Sequence, residues 1–294
     1  MSDVKSEATT IFSKTVKHYT KYRPSYPSEI VTELKKQCAL TQNSKIADVG
    51  SGTGIFTELL LQTGATVYAV EPNNKMRKEA DFLKKYKNFH SVNAAAGKTG
   101  LADKSIDIIT VATAFHWFNV KVVSKEFNRI LKPNGVVFLV WNLRDSTKPL
   151  MQDYDNLLMK YGVNYATSPS SKLHKQHNLS KFFEENKMTC SAVPNAQIFD
   201  FAGFSGRLMS TSYCPKEDAD NFKEMMAELK KIFDKHQQDG KVTFAYQTTM
   251  YYGPIAACDN KIANLGTFST ATVLSGEVTN NNNEQEKVVA DLEL

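Results

Sequence analysis

Lys45-Ile46-Ala47-Asp48-Val49-Gly50-Ser51-Gly52-Thr53-Gly54 is an apolar run that ends in an acid and then breaks into three closely spaced glycines. The stretch predicts a strand over 46–49, a glycine-rich loop and a helix from about residue 55 to 63. Such a loop lets a nucleotide-like ligand press against backbone where any Cβ would collide. The helix behind it aims free N–H groups and its positive dipole end at the same place. Dinucleotide enzymes use G-x-G-x-x-G, but Ile55 stands where the third glycine would be, and the spacing here is G-x-G-x-G with Asp48 two residues ahead of Gly50.

Downstream, Thr66-Val67-Tyr68-Ala69-Val70-Glu71 is a second apolar strand ending in a carboxylate. In an open parallel sheet the carboxyl ends of neighbouring strands share one crevice, so Glu71 is expected beside the glycines, accepting hydrogen bonds from ribose hydroxyls. An NAD enzyme would also use an acid here, so the loop spacing has to discriminate the cofactor. Strands over 89–93, 105–111 and 135–141, with helices over about 74–85 and 120–131, continue the alternation. They predict an α/β fold with a doubly wound, mostly parallel sheet.

On the N-terminal side, helices near 10–20 and 28–38 flank Arg23-Pro24-Ser25-Tyr26-Pro27, where two prolines interrupt any continuous helix. From about 145 to 240 the pattern turns to helices with polar interruptions, including Ala166-Thr167-Ser168-Pro169-Ser170-Ser171. Val242 to Tyr252 is β-branched and aromatic enough for a closing strand. Beyond about residue 259 the composition, with Asn280-Asn281-Asn282-Asn283, predicts a disordered tail.

Composition limits the function classes. The 294 residues are 41% hydrophobic, enough for one large core, and no apolar run approaches the ~20 residues of a membrane helix. Met1 to Glu7 carries acids and no apolar block, unlike a secretory signal. Cys38, Cys190, Cys214 and Cys258 lie far apart without a C-x-x-C pair, which argues for reduced thiols in a cytoplasmic protein and against a zinc site. The net charge of +5 is spread along the chain. Even Lys84-Lys85-Tyr86-Lys87 reads as the solvated end of a helix, so no nucleic-acid or membrane partner and no metal are expected. Monomer and homodimer stay open.

Taken in order, four motifs resemble the class I S-adenosylmethionine (SAM) dependent methyltransferases: the acid followed by G-x-G-x-G, the strand-end Glu71, Thr99 to Ile109 leading into a fourth strand, and Leu131-Lys132-Pro133-Asn134-Gly135 leading into a fifth. More narrowly, Tyr19 to Pro27 and Ala114-Phe115-His116-Trp117-Phe118 resemble the subgroup that includes trans-aconitate methyltransferases. The resemblance spans roughly residues 10 to 255. It implies a Rossmann-like fold with a seven-stranded sheet, in which 242–252 would run antiparallel, and a helical cap. The chain would divide into an N-terminal helical lid segment (1–40), a SAM-binding core (41–145), a substrate cap with late core elements (146–240), a closing strand (241–258) and a tail (259–294).

The same resemblance implies site roles. Gly50, Ser51, Gly52, Thr53 and Gly54 would approach the methionine and ribose parts of SAM, Asp48 would support its amino end, and Glu71 would hold the ribose. Pro72 and Asn73 would border the adenine, with Ala95 and Ala96 on its other side. The family often has an acid after the second of these alanines, whereas this chain has Gly97. Tyr19 and Arg23 would fold over the cofactor, with Tyr26 on the substrate side.

Methyl transfer from a sulfonium is an in-line displacement, so alignment and exclusion of water matter more than catalytic side chains. Trp117 and Trp141, the two tryptophans of the chain, fall at the predicted carboxyl ends of strands four and five, where they could wall a pocket or simply cover the sheet edge. His116 is the best candidate base, or a structural residue, since a carboxylate acceptor is already ionised near neutrality. Arg23, Arg144 and Arg207 fall in segments expected around the cleft, where a guanidinium could grip a carboxylate or only pair at the surface. The reading is a SAM-dependent methyltransferase acting on a small molecule, at a carboxylate or other oxygen nucleophile. A SAM-binding module without turnover, a protein or nucleic-acid methyltransferase and a nucleotide-dependent oxidoreductase are the alternatives.

Overall fold

A computed structural model describes residues 22–165, 179–184 and 186–256. The helix expected near 10–20, Tyr19, the loop expected at 166–171 and the tail expected from 259 lie outside the described residues. The first part of the chain alternates as its periodicity requires: α1 (Glu29–Gln37), β1 (Lys45–Val49), α2 (Ile55–Leu61), β2 (Thr66–Val70), α3 (Asn74–Glu79), β3 (Phe89–Val92), β4 (Ile106–Ala112), α4 (Val120–Ile130) and β5 (Leu131–Arg144). The second part is α5 (Pro149–Tyr161), the short α6 (Leu179–Phe182), β6 (Thr189–Phe199), α7 (Phe201–Met209), α8 (Phe222–His236) and β7 (Val242–Gly253).

The seven strands form one sheet in the order β3-β2-β1-β4-β5-β7-β6. The first five strands are parallel, and β7 runs antiparallel between β5 and β6. This is the doubly wound, seven-stranded, mostly parallel sheet with a helical cap. Strand side chains alternate between two apolar layers. Ala47, Val49, Ile109, Val137 and Leu139 pack with Val123 and Phe127 of α4, whereas Ile46, Val67, Ile108 and Phe138 pack with Ile30 and Leu34 of α1 and with Phe56 and Leu60 of α2. A third cluster joins α5, α7 and α8 to Phe244 and Tyr246 on β7 and forms the cap.

Three differences from the sequence reading have physical causes. The segment between 145 and 240, expected as helices with polar interruptions, contains β6, which is the outer strand of the sheet. That position lets it accommodate Pro194 opposite Gln247, and its side chains alternate only weakly in burial. Strand five, expected over 135–141, runs from Leu131 to Arg144, with a register irregularity between Ile106 and Ile108 of its neighbour. Trp141 is therefore inside the strand, 3% exposed, rather than at its end. The helix expected over 74–85 tightens into a 3-10 segment at Ala80–Lys85.

Candidate functional site

The glycine-rich loop joins β1 to α2 and is tied to the end of β2: Gly50 N and Ser51 N donate to Val70 O at 2.8 and 3.2 Å. Its three glycines serve different purposes. A Cβ on Gly50 would stand 2.7 Å from Ala114 Cβ, and one on Gly54 would stand 2.6 Å from Leu83 Cδ1, so both are packing sites for neighbouring chain. Gly52 has φ +57 and nothing within 4 Å of its Cβ position, which makes it the face that a ligand can approach.

Glu71 follows β2 and accepts from Gly52 N at 3.1 Å through Oε2 and from Asn73 N at 2.8 Å through Oε1. Burial pushes its carboxyl up, against the opposing pull of these two N–H groups. Asp48 sits beneath the loop, 0% exposed. Thr57 Oγ1 donates to its Oδ2 at 2.6 Å and Thr110 Oγ1 to its Oδ1 at 3.0 Å. Burial raises its pKa to about 6 despite these hydroxyls. Enclosed in this way, Asp48 braces β1, α2 and β4 from below. Thr53 Oγ1 is buried with no hydrogen-bond partner among the described residues.

Asn73 is buried and its side chain caps α3, accepting from Lys75 N at 2.9 Å and Met76 N at 3.4 Å, while Pro72 is exposed beside it. Ala95 and Ala96 are half-buried on the turn after β3. A Cβ on Gly97 would lie 2.5 Å from Val122 Cγ1, so the acid of the family pattern would have to displace this exposed side chain at the start of α4.

After β4 the chain passes Thr113 and makes a 3-10 turn, Phe115–Trp117, with His116 and Trp117 half-buried. Trp141 Nε1 donates to His116 Nδ1 over a long 3.5 Å. An indole N–H can only donate, so His116 Nδ1 is the acceptor and the neutral ring carries its proton on Nε2. Trp141 itself packs edge-on against Phe115 and Tyr251 in the core.

The segment from Tyr22 to Tyr26 crosses this end of the sheet. Ser25 O accepts from Asn142 Nδ2 at 3.3 Å and Asn195 Nδ2 at 2.9 Å, and Tyr22 O accepts from Gln197 Nε2 at 3.3 Å. Tyr26 OH bonds Thr113 Oγ1 at 2.9 Å, and Arg23 Nη2 donates to Ser210 O at 3.2 Å. The structure thus brings Gly52, Glu71, Thr53, His116 and Tyr26 to the carboxyl side of β1, β2 and β4. It places Arg144 and Arg207 in the cap interior instead. Arg144 donates from Nε to Asp155 Oδ1 at 2.8 Å and from Nη1 to Tyr213 OH at 3.3 Å, and also bonds Tyr165 OH. Arg207, 4% exposed, donates from Nε to Tyr246 OH at 2.9 Å. Sequence reasoning missed Thr57, Thr110, Tyr154 and Tyr246. Only Thr57, three residues past Gly54 on the first turn of α2, had a positional signal.

Residues 47–139, from β1 through β5, match the profile of the methyltransferase-domain family. An uncharacterized methyltransferase-like protein of Schizosaccharomyces pombe is 28% identical over 247 residues, which cover 82% of this chain and 93% of the relative. A probable S-adenosylmethionine-dependent methyltransferase of Saccharomyces cerevisiae is 29% identical over 153 residues, 49% of this chain and 51% of its own. This chain is a SAM-dependent methyltransferase. The methyltransferase also shares its fold with a structure from Anaeromyxobacter dehalogenans provisionally described as a type II methyltransferase, with a TM-score of 0.60, 19% identity, and 79% of this chain and 98% of that one covered.

The loop of this methyltransferase fits SAM. Gly52 offers a face without a Cβ, the Glu71 carboxylate keeps acceptor capacity beyond its two backbone bonds, and the Thr53 hydroxyl is a buried polar group still open to a partner. Among the described residues, no helix of the methyltransferase is long and apolar enough to cross a membrane.

Proposed function

We propose that the enzyme transfers the methyl group of SAM to an oxygen of a small molecule held between the 3-10 turn after β4 and the helical cap. Bound SAM supplies a methyl carbon already activated by its sulfonium. In this reading Glu71 holds the ribose, Gly52 and Thr53 receive the cofactor's nearer parts, and Asn73 with Ala95 and Ala96 borders the adenine. Asp48 acts from beneath, keeping the loop in place. The segment from Arg23 to Tyr26 covers the cleft and excludes water, with Trp117 as a wall. The core and cap divide the labour between cofactor and acceptor.

The observation that carries the choice of acceptor is the hydrogen bond from Trp141 to His116 Nδ1. With Nδ1 occupied, the neutral imidazole presents Nε2–H, a donor suited to orienting an oxygen that is already anionic, such as a carboxylate ionised near neutrality. His116 is on this account a positioning donor and needs no base function.

Two measurements test the reading. Calorimetric titration with S-adenosylhomocysteine (SAH) is expected to give micromolar binding, about 8 kcal/mol, that weakens at least about tenfold in Glu71→Gln through loss of a charged acceptor. Incubation with labelled SAM and a cell extract is expected to put label into the low-mass fraction. Label in protein or nucleic acid would overturn the small-molecule reading.

A further inference from the structure

The cap encloses two guanidiniums against one carboxylate. Arg144 is paired with Asp155, Nη2 to Oδ1, at 2.7 Å. Arg207 is more deeply buried, and its contacts are neutral: Tyr246 OH on Nε, Ser210 Oγ on Nη1 at 3.4 Å, and the Phe244 ring 5.3 Å from its guanidinium carbon. Among the described residues no carboxylate lies within ion-pair distance of it. An arginine cannot shed its charge, and an uncompensated buried charge is strongly unfavourable, a cost that aromatic faces offset only in part.

Two further features mark the same place. Tyr154, 0% exposed, has no hydrogen-bond partner for its hydroxyl among the described residues. Burial pushes the Tyr213 hydroxyl up, yet the Arg144, Arg207 and Arg23 guanidiniums outweigh burial and hold it below the ordinary phenol range. A surplus cation, an unpartnered donor and a phenol held down by three guanidiniums therefore coincide inside one apolar shell among the described residues.

We propose that Arg207, Arg144, Tyr154 and Tyr213 form an anion subsite that anchors a carboxylate of the acceptor, separate from the oxygen that receives the methyl group. The proposal rests on the small-molecule reading above and adds an anchoring group to it. A carboxylate suits the site because guanidinium forks and phenol hydroxyls both donate to its planar pair of oxygens. One short segment touches both regions: Arg23 donates to Ser210 O beside the subsite and Tyr26 bonds Thr113 ahead of the 3-10 turn, with the Cα atoms of Arg23 and Tyr26 at most roughly 10 Å apart.

The test titrates the full chain calorimetrically with citrate, succinate and inorganic phosphate, with and without SAH, and follows Tm alongside. A carboxylate probe is expected to bind and raise Tm. Arg207→Gln is expected to weaken that binding at least about tenfold, as loss of a charged hydrogen-bond donor would, while SAH affinity is retained. Arg144→Lys, which keeps the charge and loses the fork, is expected to weaken it as well. If SAH binds and neither citrate nor succinate does, the subsite is refuted and the methyltransferase reading stands. Probe binding that depends on Arg207 in a protein whose label goes into macromolecules would keep the anion subsite and refute the small-molecule reading. Phosphate bound in preference to both acids overturns the carboxylate assignment. A phenolate absorbance at about pH 8 that disappears in Tyr213→Phe would mean that the chain balances the charge internally, which also overturns the proposal.

Discussion

The α/β core and the helical cap each bury a charged residue completely, and they treat it in opposite ways. In the core, Asp48 lies under the glycine loop with a threonine hydroxyl on each oxygen and a pKa raised by burial to about 6. An acid in that position can pick up a proton when its surroundings disfavour the charge. In the cap, Arg207 has only phenol, hydroxyl and aromatic contacts among the described residues, and no such escape. The contrast follows from how the two sites are made. The cofactor site is assembled chiefly from backbone, with one carboxylate reading N–H groups, whereas the cap interior is assembled from long side chains that meet only after α5, α7, α8 and β7 have packed together.

The strongest way to break this comparison is to treat the two cap arginines alike. Arg144→Met should destabilise the protein by about 2 kcal/mol, because it takes the cation from Asp155, which is left with the Tyr165 hydroxyl at 3.1 Å and partial access to water. Arg207→Met should change stability by less than about 1 kcal/mol or raise it, since it replaces a surplus buried charge with an apolar side chain. Urea unfolding of both variants decides the matter, and equal losses would mean that Arg207 is as well compensated as Arg144.

A second experiment follows pH. The folded pKa of Asp48, about 6, lies above the ordinary value of 3.8, so the native state binds this proton more tightly than the unfolded chain. The contribution of this group to stability is therefore greatest below about pH 4, falls as pH rises toward about 6, and is level above that. Asp48→Asn should match wild type in Tm near the acidic end. It should gain on it by roughly 2 kcal/mol between about pH 4 and 6, following the usual conversion of pKa into free energy. A gap that does not change with pH would show that Asp48 titrates normally.

The third and smallest effect separates glycines within one loop. Gly54→Ala places a methyl 2.6 Å from Leu83 Cδ1 at φ +84 and should lower stability by about 2 kcal/mol. Gly52→Ala meets no atom within 4 Å, so it should lower stability by only about 1 kcal/mol and show its main effect as weaker SAH binding. Titration and thermal melting of the pair would sharpen the division between packing and ligand contact, and a reversed pattern would dissolve it.

Much of the core was legible beforehand because its signals are local. Gly50 to Gly54 and Glu71 lie at the ends of short strands whose apolar runs declare them, and a parallel sheet brings such ends together by construction. The roles within the loop were not legible: that Gly54 yields to Leu83 and Gly50 to Ala114 depends on chain arriving from far along the sequence. The β6 strand was hidden because an edge strand can carry Pro194 and show little alternation. Trp141 stood one strand-length assumption away from its true place, since β5 continues to Arg144.

By itself, the sequence determined the α/β alternation, the glycine loop with its acid, the carboxylate after the second strand and hence the nucleoside cofactor, because periodicity and backbone conformation are properties of neighbouring residues. Tertiary structure alone decided that Asp48 supports the loop from beneath, that the Trp141 indole reaches His116 Nδ1, and that Arg144 and Arg207 meet Tyr154 and Tyr213 in one enclosed space. Those outcomes turn on hydrogen-bond partners and desolvation set by residues far apart in the chain, and no spacing in the sequence encodes which of them will touch.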